Sequence, residues 1–582
     1  MTEALNTKPR LKLKALPTAK RYQKALRAAL HAGTVDGLSE RRSFVAAGPN
    51  EIETAIKRAS ATGAVPLLVV EGPTPFGSKR LPPCLVTLPL AQGNSRTETG
   101  SNTLLAASVL AELSSEIAKR EPDSWGDYAW PPFETTFEQS GEKEPSSTDV
   151  LGFQDFAYGT GERSTTNGFW QDLLSAARSA AVNQKYLASL IQRRYCAWFS
   201  PYTGLPISPV EAQTIGEIIL ENWQQNDLIS HCYGAQHWNH PAINATFSGK
   251  NGDVHFHDTQ QGALDAAAAD NGQVLSWAGR TDPQFESNCQ ERSVRLLRIE
   301  DGFLRSVGLG AGLARGAMLA VDDSGIYYDP SRPSRLERLL SGYDLSDDEL
   351  ERGRSLVQLI KAARVSKYNF GKPKSFSFPS DKMRILVPGQ VADDAAIRKS
   401  RSSTIDCVNT PNVNLDLLRL ARERHPDAFL VFKPHPDVET GLRKGKVERE
   451  IALQHADEVA SDANIIDLIE AVDCVETFSS LSGFEALLRD KRVIVHGAPF
   501  YAGWGLCEDL TEIEGRSRRR TLPELVYLAL VKYARTIDPV SLLPCSPEFL
   551  VQRLVEQKSD KRHLLVTALK RHSSWLGRKL GI

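Results

Sequence analysis

No charge of one sign dominates this 582-residue chain: 70 Lys and Arg stand against 71 Asp and Glu. That balance argues against a broad nucleic-acid footprint and leaves room only for local basic patches. Long hydrophobic runs are missing as well. Without a stretch of about 18 apolar residues, nothing reads as a membrane-spanning helix, and the opening Met-Thr-Glu-Ala-Leu-Asn-Thr-Lys-Pro-Arg has no apolar core of signal-peptide length. The eight cysteines, at 84, 196, 232, 289, 407, 474, 507 and 545, form no Cys-x-x-Cys, which speaks against a disulfide framework or a zinc ribbon. The expectation is an enzyme of the cytoplasm with reduced thiols and no nucleic-acid partner. At ~150 residues per domain the length implies roughly three or four domains.

What is present is an alternation of strand and helix signals. Ser43 to Gly72 reads as strand, helix, strand. From Gln92 to about Asn167 the chain is rich in Ser, Thr, Glu, Gly and Pro, as a linker or long loop would be. Helices are expected over Phe169–Phe199 and Val210–Asn226. Beyond Leu228 the strand candidates are Leu228–Tyr233, Val254–Phe256, Val274–Trp277 and Val294–Ile299, then Ile385–Pro388, Phe429–Phe432, Cys474–Glu476 and Val493–His496. Strands separated by crossover helices imply parallel sheets. Two such halves joined near Ser366-Lys-Tyr-Asn369 suggest an α/β fold with a GT-B-like pair of Rossmann-like domains facing a cleft, preceded by a divergent α/β N-terminal region.

Candidate chemistry collects at strand ends, where ligands bind in open α/β sheets. The run Val431-Phe-Lys-Pro-His-Pro-Asp437 ends a buried strand by presenting Lys433 and His435 in a turn set by two prolines. Ser479 and Ser480 follow another strand and open a helix, Leu-Ser-Gly-Phe-Glu-Ala-Leu-Leu-Arg489, whose N–H groups and positive end favour an anion. Together these suit a nucleotide phosphate. Glu300-Asp-Gly302 follows a third strand, with Gly302, Gly308 and Gly310 permitting close backbone approach. Gln390-Val-Ala-Asp-Asp394 follows a fourth. Taken alone, the two acidic pairs read as turn-forming residues; their joint occurrence is what raises a catalytic reading.

From Leu228 to Cys545 the chain resembles the KpsC family of capsule polysaccharide biosynthesis proteins, the bacterial retaining β-Kdo transferases. The stretches that carry the resemblance are Arg298-Ile-Glu-Asp-Gly-Phe-Leu-Arg-Ser-Val-Gly-Leu-Gly310, Val321-Asp-Asp-Ser-Gly-Ile-Tyr-Tyr-Asp329, Ser366-Lys-Tyr-Asn369 and Val387-Pro-Gly-Gln-Val-Ala-Asp-Asp394. Lys433-Pro-His-Pro-Asp-Val438, Ser479–Leu488 and Pro499-Phe-Tyr-Ala-Gly-Trp-Gly505 complete the set. The resemblance implies transfer of Kdo from CMP-β-Kdo, with retained configuration, onto a β-Kdo primer on a lyso-phosphatidylglycerol lipid. Typical members carry two transferase modules. This chain has room for one, similar to the C-terminal module.

The organisation implied is a divergent N-terminal region over 1–199, partly linker, and a helical connector over 200–227. An acceptor-side domain follows over 228–368, then a CMP-sugar-binding domain over 369–545 and a basic helical segment over 546–582.

Retention is most simply achieved by two displacements, which need a carboxylate nucleophile and a separate acid/base group. The resemblance implies Asp394 as nucleophile, although Ala396 stands where the family pattern Gln-x-x-x-Asp-x-Ser, beginning here at Gln390, has serine. Glu300 is the implied acid/base, supported by Asp301. Lys433, His435, Ser479 and Ser480 would hold the CMP phosphate without a metal, and Arg305 suits a Kdo carboxylate. No cofactor is expected beyond CMP-Kdo as donor substrate. The implied partners are that donor, a Kdo-primed glycolipid acceptor, other capsule synthesis or export proteins and the anionic surface of the inner membrane.

Three features carry less. His237, His240, His255 and His257 lack the Cys or acidic complement of a zinc site. Arg516–Arg520 reads as a solvated charge run, with phosphate binding as the alternative. Lys561–Leu580 reads as a packed terminal helix, with peripheral lipid binding as the alternative. Two rival functions stay open: a non-catalytic capsule assembly scaffold with a CMP-sugar site, and a transferase for another CMP-ulosonic acid.

Overall fold

The computed structural model describes residues 209–560, apart from 250, 308–315, 368, 370–373, 408, 440, 442 and 462. Before these it describes Tyr202 and five strands. Those strands are β1 (Ser43–Ala46), β2 (Val65–Val70), β3 (Cys84–Thr87), β4 (Cys196–Phe199) and β5 (Pro206–Ile207), joined in that order in one sheet. β1 and β2 run parallel, as a strand-helix-strand unit requires; the other pairings are antiparallel. Of the helix expected over Phe169–Phe199, the part before residue 196 lies outside the described residues, and its last four residues are not helical. Cys-Ala-Trp-Phe199 is strand, an outcome suited to its aromatic residues. The connector helix spans Pro209–Gln224. The expected linker over 92–167 lies outside the described residues.

By compactness, residues 1–227, 249–251 and 540–543 form one unit, and 228–248, 252–539 and 544–582 a second. The second unit carries two six-stranded sheets. The first contains β6 (Ser230–Tyr233), β7 (His255–His257), β8 (Gln273–Trp277), β9 (Arg295–Asp301), β10 (Met318–Asp322) and β17 (Ala534–Thr536). Its order is β17-β10-β9-β8-β6-β7. β6 to β9 are parallel, while β10 and β17 add antiparallel. The second sheet contains β11 (Arg384–Pro388), β12 (Phe429–Lys433), β13 (Glu458–Val459), β14 (Cys474–Thr477), β15 (Arg492–Val495) and β16 (Glu508–Asp509), ordered β13-β12-β11-β14-β15-β16 and parallel throughout.

β17 lies within the stretch read as the second domain, yet it pairs with β10 of the first sheet, Met318 opposite Thr536. The chain thus recrosses between the two sheets before its final described helix, Pro547–Ser559. Arg352 of the helix Asp347–Ala363 secures that helix through Glu548 at 2.8 Å.

The second sheet is buried on both faces, which explains its continuous apolar strands. Ile385, Val387, Leu430, Phe432 and Cys474 pack with Leu417 and Leu418 of the helix Val413–Arg424, all 2 % exposed or less. Each such aliphatic or aromatic side chain contributes roughly 1.5–3 kcal/mol on burial. Gly389 then lets the end of β11 approach the turn after β12. Its N–H donates to the Lys433 carbonyl at 2.7 Å, and a Cβ there would stand 3.1 Å from both His435 N and Pro434 Cα.

The basic run near the C-terminus has a structural use. Arg516 is 9 % exposed and donates to the carbonyls of Pro499 at 2.6 Å and Ala502 at 2.9 Å while pairing with Glu337 at 3.0 Å. Arg520, 4 % exposed, donates to the Leu340 and Tyr343 carbonyls and pairs with Glu524. Spacing alone cannot separate such internal clamps from a solvated charge run. Residues 561–582, which carry the lipid-binding alternative, lie outside the described residues.

Candidate active site

Glu300 and Asp301 end β9, opposite Ala320 and Leu319 of β10. The Glu300 carboxylate accepts from the Asp301 N–H at 3.1 Å. Burial pushes its pKa up to about 8, reinforced by the Asp301 carboxylate and, across the second unit, by Asp394; the Asp301 N–H and the Lys367 ammonium oppose the rise. A carboxyl that is largely protonated at pH 7 yet titrates just above it suits acid/base work. Gly302 donates to the Met318 carbonyl at 2.9 Å, and a Cβ on it would stand 2.5 Å from Met318 Cγ, so glycine is required for that approach.

Arg305 has a different placement from the one expected. It is 1 % exposed, and its Nε lies 2.7 Å from Asp301 Oδ2. The guanidinium is thus paired with Asp301, one residue beyond Glu300. Gly308 and Gly310 lie outside the described residues.

Asp394 caps the four-residue helix Ala395–Arg398, its Oδ1 accepting from Ala396 N at 3.0 Å. The other oxygen is 3.9 Å from Arg443, which also meets Asp393 at 3.3 Å. Gln390 is buried, and its side-chain oxygen accepts from Ser479 N at 3.0 Å and Thr477 Oγ1 at 3.3 Å. It joins the ends of β11 and β14.

At the end of β12, Lys433 is 6 % exposed and donates to the Pro434 carbonyl at 3.3 Å. His435 accepts from Asp437 N on Nδ1 at 3.2 Å, leaving Nε2 to carry the proton of the neutral ring. Burial, followed by the cations Lys433, Arg443 and Lys367, lowers its pKa to about 4. Three cations therefore converge on one histidine, a field that favours an incoming anion.

Ser480 caps the helix Leu481–Leu487 by accepting from Ser482 N at 3.2 Å. The N–H groups of Ser479 and Ser480 already meet Gln390 and Thr477. The expected supply of N–H donors at this junction is accordingly reduced, and the side chains of Ser479 and Ser480 remain its polar offering.

Sequence reasoning assigned no role to Lys367, Arg443 or the Tyr327–Tyr328 pair. Lys367 lies in the Ser366–Asn369 turn, whose backbone joins the two halves of the second unit. Its carbonyl accepts from Arg305 N at 3.2 Å and Ser306 N at 3.1 Å, and its N–H donates to Glu485 on the helix Leu481–Leu487 at 2.9 Å. The conspicuous Ser-Lys-Tyr-Asn motif was a usable signal for it. Arg443 sits in an irregular loop between Gly441 and Gly445, both with positive φ, and nothing local marks it.

The histidines form polar pairs elsewhere. His231 bridges Asp270 at 2.9 Å and His257 at 3.0 Å, and the His237 and His240 rings lie 4.8 Å apart. Among the described residues, no group of three or more His, Cys, Asp or Glu side chains could hold a metal ion. Nor is any described helix long and apolar enough to cross a membrane.

The sequence matches the family described as capsule polysaccharide biosynthesis protein over residues 274–369 and 355–537. It is 35% identical over 400 residues to the capsule polysaccharide modification protein LipA of Neisseria meningitidis serogroup B, covering 67% of this chain and 54% of LipA. The KpsC β-Kdo 2,7 transferase structure of Thermosulfurimonas dismutans is 30% identical, with 57% of this chain and 100% of that chain covered and a TM-score of 0.45. For the β-Kdo 2,4 transferase of the same KpsC the values are 32%, 56%, 98% and 0.48. The chain spans about half the length of the curated relatives it matches, 54% and 59% of two of them. Two parallel-rich sheets in one unit, with these sequence likenesses, define an α/β protein of the GT-B-like class. The chain belongs to the capsule polysaccharide biosynthesis family.

Proposed function

We propose that this chain is a glycosyltransferase of capsule assembly that moves Kdo from CMP-β-Kdo, with retention, onto a β-Kdo primer carried on a lyso-phosphatidylglycerol lipid. One observation carries the reading. Lys433, Arg443 and Lys367 gather on His435 at the C-terminal end of one sheet, while Glu300 and Asp394 are close enough to raise the pKa of Glu300. Cations suit the leaving nucleotide phosphate, and paired carboxylates suit the sugar.

In the first step an oxygen of Asp394 attacks the anomeric carbon and the bond to the CMP phosphate breaks. The departing phosphate keeps the bonding electrons, and Lys433, Arg443 and Lys367 offset its charge. In the second step an acceptor hydroxyl attacks the same carbon, Glu300 takes its proton, and the Asp394 carboxylate leaves. Two inversions give net retention. The likeness to the two KpsC β-Kdo transferases, at 30% and 32% identity, supports Kdo as the sugar. Membrane contact and association with other capsule proteins belong to the same proposal, since the acceptor is a lipid.

The test incubates a synthetic Kdo-terminated lipid-like acceptor with CMP-Kdo and reads its mass. Wild type adds Kdo; Asp394→Ala loses roughly a thousandfold or more in rate while still binding CMP, and His435→Ala weakens both. Binding of CMP without any addition by the wild type would instead support the scaffold reading or another ulosonic acid.

A further inference from the structure

Tyr328 presents a buried hydroxyl that the chemistry above does not use. Asp322, fully buried at the end of β10, accepts from the N–H groups of Ser324 and Gly325, both at 2.9 Å, and from Arg335 N. This turns the chain sharply into Ile326-Tyr-Tyr-Asp329. Tyr327 is then held by its own hydroxyl on the Asp301 carbonyl at 3.3 Å and by its ring against Phe303 at 5.0 Å. Asp329 is held by Lys399 at 2.9 Å, directly after the short helix that Asp394 caps. Between these anchors Tyr328 packs edge-on against Tyr327, with ring centroids 5.3 Å apart. It is 8 % exposed, and its hydroxyl has no hydrogen-bond partner. Buried hydroxyls are rarely left so, and each calls for a partner.

The charged groups acting on this phenol identify its surroundings. Burial raises its pKa most, then Glu300, Tyr327, Asp394 and Asp329 in that order, so it stays protonated and donates. Its place in the chain, six residues past β10, attaches it to the sheet that carries Glu300 rather than to the sheet that carries Lys433 and His435. We propose that Tyr328 is an acceptor-binding residue whose phenol donates to a sugar oxygen next to the hydroxyl that Glu300 deprotonates, and so selects which hydroxyl reacts. This rests on the transferase reading.

The experiment compares wild type with Tyr328→Phe, which keeps the ring and removes only the oxygen. CMP release from CMP-Kdo without acceptor reports the donor step. Acceptor KM and the linkage of the product, read by NMR, report the second. The expected result is donor-step CMP release within twofold of wild type, an acceptor KM raised about tenfold, a product of mixed linkage and an unchanged melting temperature. Unchanged acceptor KM and a single linkage would overturn the proposal, as would an equal loss in the donor step. A lowered melting temperature with unchanged kinetics would overturn it too, by assigning the hydroxyl a structural partner. Failure of the wild type to release CMP or transfer sugar would refute the transferase reading itself, which separates the two failures.

Discussion

Glu300 is the residue whose environment makes the sharpest demand. Burial, Asp301 and Asp394 place its titration near pH 8, far above the ~4.3 of an exposed glutamate. As a base toward the acceptor it must be ionised, so transfer at saturating substrate should rise with pH and level off above about 8. Glu300→Gln should abolish that rise along with most of the turnover. The same shift has a signed effect on stability. A carboxyl whose pKa is raised by folding favours the folded state most below the ordinary glutamate range, and this contribution is lost as pH rises through about 8. Glu300→Gln should therefore flatten the fall in melting temperature between pH 5 and 9, measured by calorimetry. An unchanged slope would place the titration elsewhere. Lys433, His435 and Asp394 were legible in the sequence because short motifs put them at strand ends. Arg443 was not, since its loop meets the aspartates only through tertiary structure.

At the scale of elements, the site is a set of strand ends brought close by small residues. Gly389 lets the β11 end lie against the Lys433–His435 turn, and Gln390 joins β11 to β14. Gly389→Ala would press a methyl onto backbone atoms at 3.1–3.2 Å that lack the freedom of a side-chain tip. Stability should drop by about 1–3 kcal/mol, and CMP affinity should fall because the turn carrying His435 must shift. Isothermal titration and chemical denaturation read the two effects. The strands β11, β12, β14 and β15 could be read in advance because a doubly covered parallel strand is a short apolar run. β17 could not: three residues, Ala534-Arg-Thr536, carry too little pattern, and their pairing with β10 is a long-range event. Cys196–Phe199 was misread for a related reason, its strand state depending on the pairing with β3.

On the scale of the whole molecule, buried arginines join parts of the second unit that are distant in sequence. Arg516 links the Pro499 and Ala502 carbonyls to Glu337, and Arg520 serves the end of the helix Arg335–Gly342. Arg516→Ala would leave Glu337 without its partner and two carbonyls without a donor, at a cost of about 3 kcal/mol or more. A lowered denaturation midpoint with CMP still bound by the folded fraction is the expected outcome. Loss of CMP binding at full stability would instead make Arg516 a ligand contact. The charge run was visible in the sequence, but its burial depended on the chain crossing back to the first sheet.

The central claim is that Asp394 carries the sugar between donor and acceptor. Its most direct test is the intact mass of the Glu300→Gln protein after exposure to CMP-Kdo, followed by peptide mapping. With the second displacement slowed, a fraction of the protein should gain one Kdo residue on the peptide containing Asp394, and Asp394→Ala in the same background should gain none. CMP release with no protein-bound sugar, together with a product of inverted configuration, would contradict the account.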